Sequence, residues 1–318
     1  MALVLYTIVK TGIIDRLLAS LRPSAQATEL SPAAYKKKLA RVRLTARLGT
    51  IGVGVALGAL LLFELFPFYW VVVTAFKTDM QIRTFQSIFW PAPWSFENFR
   101  YMLQDTQYLR WFWNTTQVAA VSALVSVMVG ALGAYALVRL KWRFAGFLST
   151  AILFTYRLPR IIIFVPLYEI FTRLQLVNTL KVLMVAYPTF GLPFACWLLM
   201  GYYRSIPAEL EEAALIDGCN YFQAFFRVIL PLTLPALLTV ALFALTGAFN
   251  DFLFAYVFVR PESLTTLAVG LGKMVIGDIF PFGRMMAASL MMAIPVTIVY
   301  MLAQRFMVEG LTAGSVKG

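Results

Sequence analysis

Long unbroken apolar runs constrain this chain more than any other feature. Crossing a hydrocarbon layer of ~30 Å takes about 20 apolar residues in a helix. Six windows reach that length, at about residues 49–75, 114–138, 145–172, 181–203, 230–259 and 285–307. They are continuous, whereas a barrel strand would alternate over about ten residues. Apolar types make up 61% of the 318 residues, and mean hydropathy is +0.79. The expected fold is all-α and integral to the membrane, with six transmembrane helices over residues 49–318. Residues 1–48 precede it as an amphipathic and basic cytoplasmic segment.

Net charge is +12. The charge is distributed by side of the membrane, so it points to topology and not to nucleic acid. With both termini placed in the cytoplasm, 16 of the 27 Lys and Arg lie inside, 9 outside and 2 within a span. That excess predicts both ends inside, in the bacterial inner membrane. Residues 1–25 carry Val4, Leu5, Ile8, Val9, Ile13 and Leu17 interrupted by Lys10, Asp15 and Arg16, which suits a helix lying on the inner leaflet. Lys36, Lys37, Lys38, Arg41, Arg43 and Arg47 then form a basic linker beside lipid headgroups. There is no histidine, which excludes Ser-His-Asp and Cys-His catalysis and every histidine metal site. Cys196 and Cys219 are placed outside an oxidising compartment, so no disulfide is expected. Gly270-Leu271-Gly272-Lys273-Met274 lacks the spacing and the hydroxyl of a phosphate-binding loop.

One polar stretch in the C-terminal half reads as a structured element. Pro207 suits a first helical turn. Glu209, Glu211 and Glu212 follow where the helix dipole favours acids. Leu210, Ala213, Ala214 and Asp217 recur at helical spacing. Gly218 can take the left-handed stop. Asn220 and Gln223 have the spacing of a capping box that opens a second helix. An ordinary interfacial connection between two spans explains the same pattern.

The residues also carry a resemblance. Glu212-Ala213-Ala214, then Gly218, then Ile229-Leu230-Pro231 resembles the EAA loop of ABC-importer permeases, here about residues 204–231. Leu302-Ala303-Gln304-Arg305 and Gly310 to Gly318 look like the C-terminal sequence of the smaller permease subunit of maltose-type carbohydrate importers. The resemblance covers roughly residues 49–318. It implies the type I ABC-importer permease fold and a second homologous permease beside this one. A cytoplasmic ATPase dimer would bind ATP and magnesium, with no cofactor in this chain. An extracytoplasmic solute-binding protein would deliver the cargo. On matched positions, Glu212 would pair with a basic ATPase residue, Ala213 and Ala214 would allow close seating, Gly218 would make the turn and Asp217 would support it. The cytoplasmic tail, about 306–318, would bring Thr312, Gly314 and Lys317 to the ATPase interface.

The third window departs from that pattern. It reads Tyr156-Arg157-Leu158-Pro159-Arg160, with cations where the family usually has apolar residues. Counted from Phe144, Arg157 lies ~20 Å along a helix rising 1.5 Å per residue, and a cation at that depth costs at least ~2.5–3.5 kcal/mol. Three residues apart, Arg157 and Arg160 should share a face. Either they pair with an acid such as Glu169, Glu64 or Asp251, or they line the path of an anionic solute. Asn250 and Asp251 near the end of the fifth window are further path candidates, or members of an interhelical hydrogen-bond set. Pro188 and Pro193 predict that the fourth span is bent or broken. Gly54 and Gly58 in the first span permit close helix contact.

The expected function is carbohydrate uptake by an ATP-driven importer, with an acidic oligosaccharide such as a uronate favoured by the two arginines. Neutral malto-oligosaccharides and glycerol-phosphate compounds are the alternatives within that class. A secondary transporter or channel is the reading from a different class, but it needs coupling-ion sites and usually inverted repeats. A membrane enzyme needs a catalytic constellation that these residues do not form.

Overall fold

The computed structural model describes residues 32–84, 88–140, 142–157, 159–275 and 280–313, with side chains described between residues 48 and 304. The expected surface helix at 1–25 lies outside the described residues. The chain divides into two units, residues 1–70 and 71–318. The first helix, α1 (Pro32–Ala75), carries its apolar span over Leu48–Ala75. Apolar side chains surround it on all sides, as a helix bathed in lipid requires. A Cβ added at Gly54 or Gly58 would meet nothing within 4 Å. The close contact expected at that pair is therefore not made by the described residues. Two glycines allow an approach but supply no partner.

The second unit is built on α4 (Tyr108–Arg139) and α7 (Leu180–Ser205), each long and apolar enough to span. They pack along their length through small residues. A Cβ on Gly130 would fall 2.9 Å from the Ala195 Cβ, and one on Gly191 would fall 3.4 Å from Ser126 Oγ. This close approach has the physical effect expected of small residues between membrane helices. It also bears on Pro188 and Pro193. The expected break does not occur, and α7 is one helix from Leu180 to Ser205. Neighbouring helices can hold a proline-containing span together, and α4 does so here. The last helix, α14 (Phe282–Ala313), completes four unbroken candidate spans.

The third and fifth windows are broken. Helix α5 (Ala145–Tyr156) and helix α6 (Arg160–Arg173) meet at 101°. Pro159 at the joint has ψ 127°, an extended value that ends the helix. The shared face expected for Arg157 and Arg160 is thereby corrected. Arg157 closes one helix and Arg160 opens the next. In the fifth window, α11 (Leu234–Asn250) stops at Asp251, and a short α12 (Leu253–Phe258) follows. Before it, the turn at Thr233 bends the chain by 77°. Thr233 is fully buried, and its hydroxyl donates to the Ile229 and Leu230 carbonyls at 3.1 and 2.9 Å.

Connections sort to opposite ends of this unit. At one end Arg139 pairs with Glu211, which places the 139–143 turn against the 204–229 segment. At the other end Asn114 donates to the Ser263 and Thr265 carbonyls, and Asn178 Oδ1 accepts from the Arg260 N–H. Tyr108 also reaches the Ala288 carbonyl there, at 3.0 Å. This is the alternation that successive crossings produce. The segment after α1 is tied down at the second end. Asn98 donates to the Ala75 and Lys77 carbonyls, and Lys77 Nζ donates to the Ile88 carbonyl. Burial pushes the Lys77 ammonium pKa below its usual value.

The α4–α7 contact gives a first prediction. Gly130→Val overfills the 2.9 Å approach to Ala195. It should lower stability by ~1–3 kcal/mol, read as a lower midpoint in thermal unfolding of the detergent-solubilised protein.

Candidate functional site

Two places combine polar residues with a shape that suggests use. The first is the segment 207–232. Its leading helix, α8 (Glu209–Ile216), begins two residues after Pro207 and carries Glu209, Glu211 and Glu212 in its first turn. Gly218 follows with φ +89°, in the left-handed region that a side chain disfavours. Asn220 and Gln223 form the expected capping box, with bonds of 2.8 and 3.0 Å. The second helix, α9 (Tyr221–Ala224), continues into a π-helical turn at Phe225–Ile229 and a short α10 (Leu230–Leu232). Helices with such turns often bear functional sites.

Helix α8 buries one side against its own chain and leaves the other open. Leu210, Ala213 and Asp217 are exposed. Glu211 and Ala214, three residues apart, are buried, at 5% and 7% exposure. The reason is a pair of partners from the second span. Tyr135 Oη donates to Glu211 Oε1 at 2.5 Å, and Arg139 Nε lies 3.4 Å from Glu211 Oε2. A buried acid is tolerable when it is paired and hydrogen-bonded, and here both conditions hold. Ala214 therefore lets α8 sit close on its own chain. The outward face consists of Glu212, Ala213, Ile216 and Asp217, with Ile216 exposed at 85%.

Sequence reasoning missed Glu211, Tyr135 and Arg139. A signal was present for one of them. Glu211 and Glu212 are adjacent, about 100° apart around the helix, so the two cannot point in the same direction. Nothing in the sequence pairs Tyr135 and Arg139 with a residue some seventy positions away.

The second place is a cavity of about 100 Å³ where the broken helices meet. Tyr156, Arg160, Tyr187, Phe194, Phe243 and Asp251 are among its lining residues. Tyr187 Oη donates to Asp251 Oδ2 at 2.8 Å, and the Ala255 N–H donates to the same oxygen at 3.1 Å. The carboxylate thus supports the start of α12. Arg160 acts on Asp251 electrostatically and lies 5.7 Å from the Phe190 ring centre, within cation–π range. Phe194 contacts Tyr156 on one side and Phe243 on the other. The cavity offers flat aromatic faces, a cation, and a carboxylate that already accepts two bonds. Such a set can hold a polyhydroxylated ring or a carboxylated one.

Of the four path candidates, the structure brings Arg160 and Asp251 together. Arg157 is exposed at the α5–α6 joint and is not among the residues lining this cavity, although its neighbour Tyr156 is. Asn250 is exposed and donates back to the Thr246 carbonyl of its own helix at 3.0 Å. Glu169, one acid considered for the arginines, pairs instead with Arg173 one helical turn away. Thr312 falls on the helical backbone near the end of α14, and Gly314 and Lys317 lie outside the described residues. Among the described residues, no group of three or more Cys, Asp or Glu could hold a metal ion.

Comparison with known proteins agrees with this architecture. The family described as binding-protein-dependent transport system inner membrane component matches residues 122–312. The inner membrane ABC transporter permease protein YcjP of Escherichia coli is 37% identical over 85% of this chain and 98% of its own length. The sulfoquinovosyl glycerol transport system permease SmoH of Agrobacterium fabrum is 32% identical over 83% of this chain and 93% of its own length. The trehalose/maltose permease MalG of Thermococcus litoralis is 33% identical over 80% and 92%. Among solved structures, a bacterial ABC transporter that imports the acidic polysaccharide alginate has a chain with the same fold. Its TM-score is 0.72 at 24% identity, over 82% of this chain and 97% of that one. Sequence and fold thus both match a known membrane family. This chain belongs to it, as a multi-pass permease of the binding-protein-dependent ABC transport systems of the inner membrane.

Proposed function

We propose that this chain is one of two homologous permeases in an ATP-driven importer that takes up a carbohydrate delivered by an extracytoplasmic solute-binding protein. ATP and magnesium are bound by a cytoplasmic ATPase dimer, and this chain holds no cofactor. The observation that carries the reading is the outward face of α8. An acid (Glu212), a small residue (Ala213) and a bare apolar side chain (Ile216) stand together on a helix anchored from behind. Such a face suits a groove with a basic rim and an apolar floor. Gly218 sets the turn that presents it, and Asp217 ends the helix. Thr312, Gly314 and Lys317 extend the same contact from the tail. Both termini lie in the cytoplasm, on the side of the 139–143 turn and α8, in agreement with the excess of basic residues there. The remaining contacts of the spans are with membrane lipid and the second permease.

The permeases whose names mention trehalose, maltose and sulfoquinovosyl glycerol support a carbohydrate cargo. Arg160 in the cavity supports an acidic one, such as a uronate oligosaccharide. Asp251 supplies a counter-charge in the same cavity, and this favours a second reading, a neutral malto-oligosaccharide. A glycerol-phosphate compound would use Arg160 as an acidic sugar does. A channel or secondary transporter has no use for an outward docking face on α8.

The deciding measurement is ATP hydrolysis by the complex purified in lipid with its binding protein, challenged with neutral and uronic oligosaccharides. Absence of a co-purifying ATPase would overturn the reading. Glu212→Lys should cut uptake about tenfold or more, the scale of a lost interfacial charge pair, while the permease stays folded. Arg160→Met should reduce stimulation by acidic solutes by about tenfold, as for one lost charge-assisted hydrogen bond, and leave neutral solutes unaffected. Equal loss for both classes would reduce Arg160 to the structural partner of Asp251 and Phe190. Gly218→Val forces a β-branched residue to φ +89°. It should cost ~1–3 kcal/mol locally, seen as faster amide exchange in α8.

A further inference from the structure

The side of α8 turned away from its proposed docking face is fixed to three other parts of the chain by one small polar cluster. Glu211 is its centre. One carboxylate oxygen accepts from Tyr135 Oη at 2.5 Å, and the other lies 3.4 Å from Arg139 Nε. Tyr135 and Arg139 are one turn apart near the end of α4, so they share its face. Arg139 does not stop at Glu211. Its Nη2 donates to the Tyr203 carbonyl at 3.1 Å and the Ile206 carbonyl at 2.8 Å. These lie at the C-terminal end of α7, where helical carbonyls lack partners within the helix. The Tyr135 ring lies 4.8 Å from Phe225 and 6.2 Å from Tyr203, and its hydroxyl is 3.4 Å from the Tyr221 carbonyl. One buried carboxylate thus joins α8 to the end of the second span, to the end of the fourth, and to the segment that leads into the fifth.

We infer that Glu211, Tyr135 and Arg139 form the strut that makes α8 move as one body with the second and fourth spans, and that they are positioning residues for energy coupling. A docking face transmits motion only if the helix bearing it cannot roll or slide against the spans. Apolar packing around Ala214 resists separation but not sliding. The phenol gives Glu211 a directional bond, and the guanidinium, oriented by its two bonds to the α7 carbonyls, holds its charge beside the carboxylate, so orientation is fixed as well as distance. The arrangement divides two adjacent glutamates by role: Glu212 faces outward, and Glu211 holds the helix in register. The inference rests on the proposed docking of α8 on an ATPase and adds a requirement behind it.

Tyr135→Phe is the decisive variant, because it removes one hydroxyl and keeps the ring packing. Glu211→Gln removes the charge at nearly constant shape. Each is made in the full complex with its ATPase and binding protein and reconstituted in vesicles. Three quantities are read: co-purification of the ATPase, ATP hydrolysis, and solute taken up per ATP hydrolysed. In Tyr135→Phe, co-purification and hydrolysis should stay within about twofold while solute per ATP falls about tenfold, the scale of a hydrogen bond to a charged group. The double variant should fall no further than Glu211→Gln alone, because the two residues act as one unit. Thr150→Val, which removes an exposed hydroxyl bonded to the Gly146 carbonyl of its own helix, outside both the cluster and the docking face, should leave the ratio unchanged.

An unchanged ratio in an assembled Tyr135→Phe complex would overturn the inference. So would a proportional fall of hydrolysis and uptake, or loss of assembly in Tyr135→Phe, since each makes the cluster a matter of docking or folding. Failure of the wild-type chain to co-purify with an ATPase would instead overturn the docking proposal itself, and the two failures are read in different samples.

Discussion

Backbone groups in a membrane interior have no water to bond, and this requirement decides where the helices of this permease can end. Each polar group left open inside hydrocarbon costs several kcal/mol. Three helix ends within or beside the spans are completed by a side chain. At the start of α12 the Asp251 carboxylate receives the Ala255 N–H. At Thr233 the hydroxyl returns to the Ile229 and Leu230 carbonyls. At the end of α7 Arg139 collects the Tyr203 and Ile206 carbonyls. The unusual residues within or beside the spans are thus explained first by the backbone they complete.

Those same residues then become available for function. Asp251 holds a helix end and also places a charge in the cavity with Arg160 and Tyr187. Arg139 closes α7 and also pairs with Glu211. A transporter must move spans as rigid pieces between alternative packings. Charges that double as backbone partners stay with the pieces they stabilise. The close seating of α4 on α7 through Gly130 and Ala195 makes a large part of this permease one such piece. Its two broken segments lie beside that piece, where a cavity forms.

Much of the fold was legible in the sequence because it depends on local rules. Apolar length located all six segments. Gly218 and the Asn220–Gln223 box fixed the turn and the restart after α8, since each acts over three or four residues. The spacing of Arg157 and Arg160 misled, because it reads as one helix face although the chain turns between them at Pro159. Pro188 and Pro193 do not break their span, because whether a proline opens a helix depends on what packs beside it, and α4 packs there closely. Ala213 and Ala214, expected together on the docking surface, are divided: Ala213 is exposed, and Ala214 is buried beside a carboxylate with two partners.

The sequence by itself determined a helical membrane permease, the number of its apolar segments, and the polar element between the fourth and fifth. These follow from hydropathy, charge and short-range backbone chemistry, which act along the chain. Only the tertiary structure decided that Arg160 and Asp251 line one cavity while Arg157 is not part of its lining, and that Glu211 is buried against Tyr135 and Arg139 while Glu212 is left outside. Those outcomes depend on contacts between residues far apart in the chain, through directional bonds in a low-dielectric interior where a charge must find a partner.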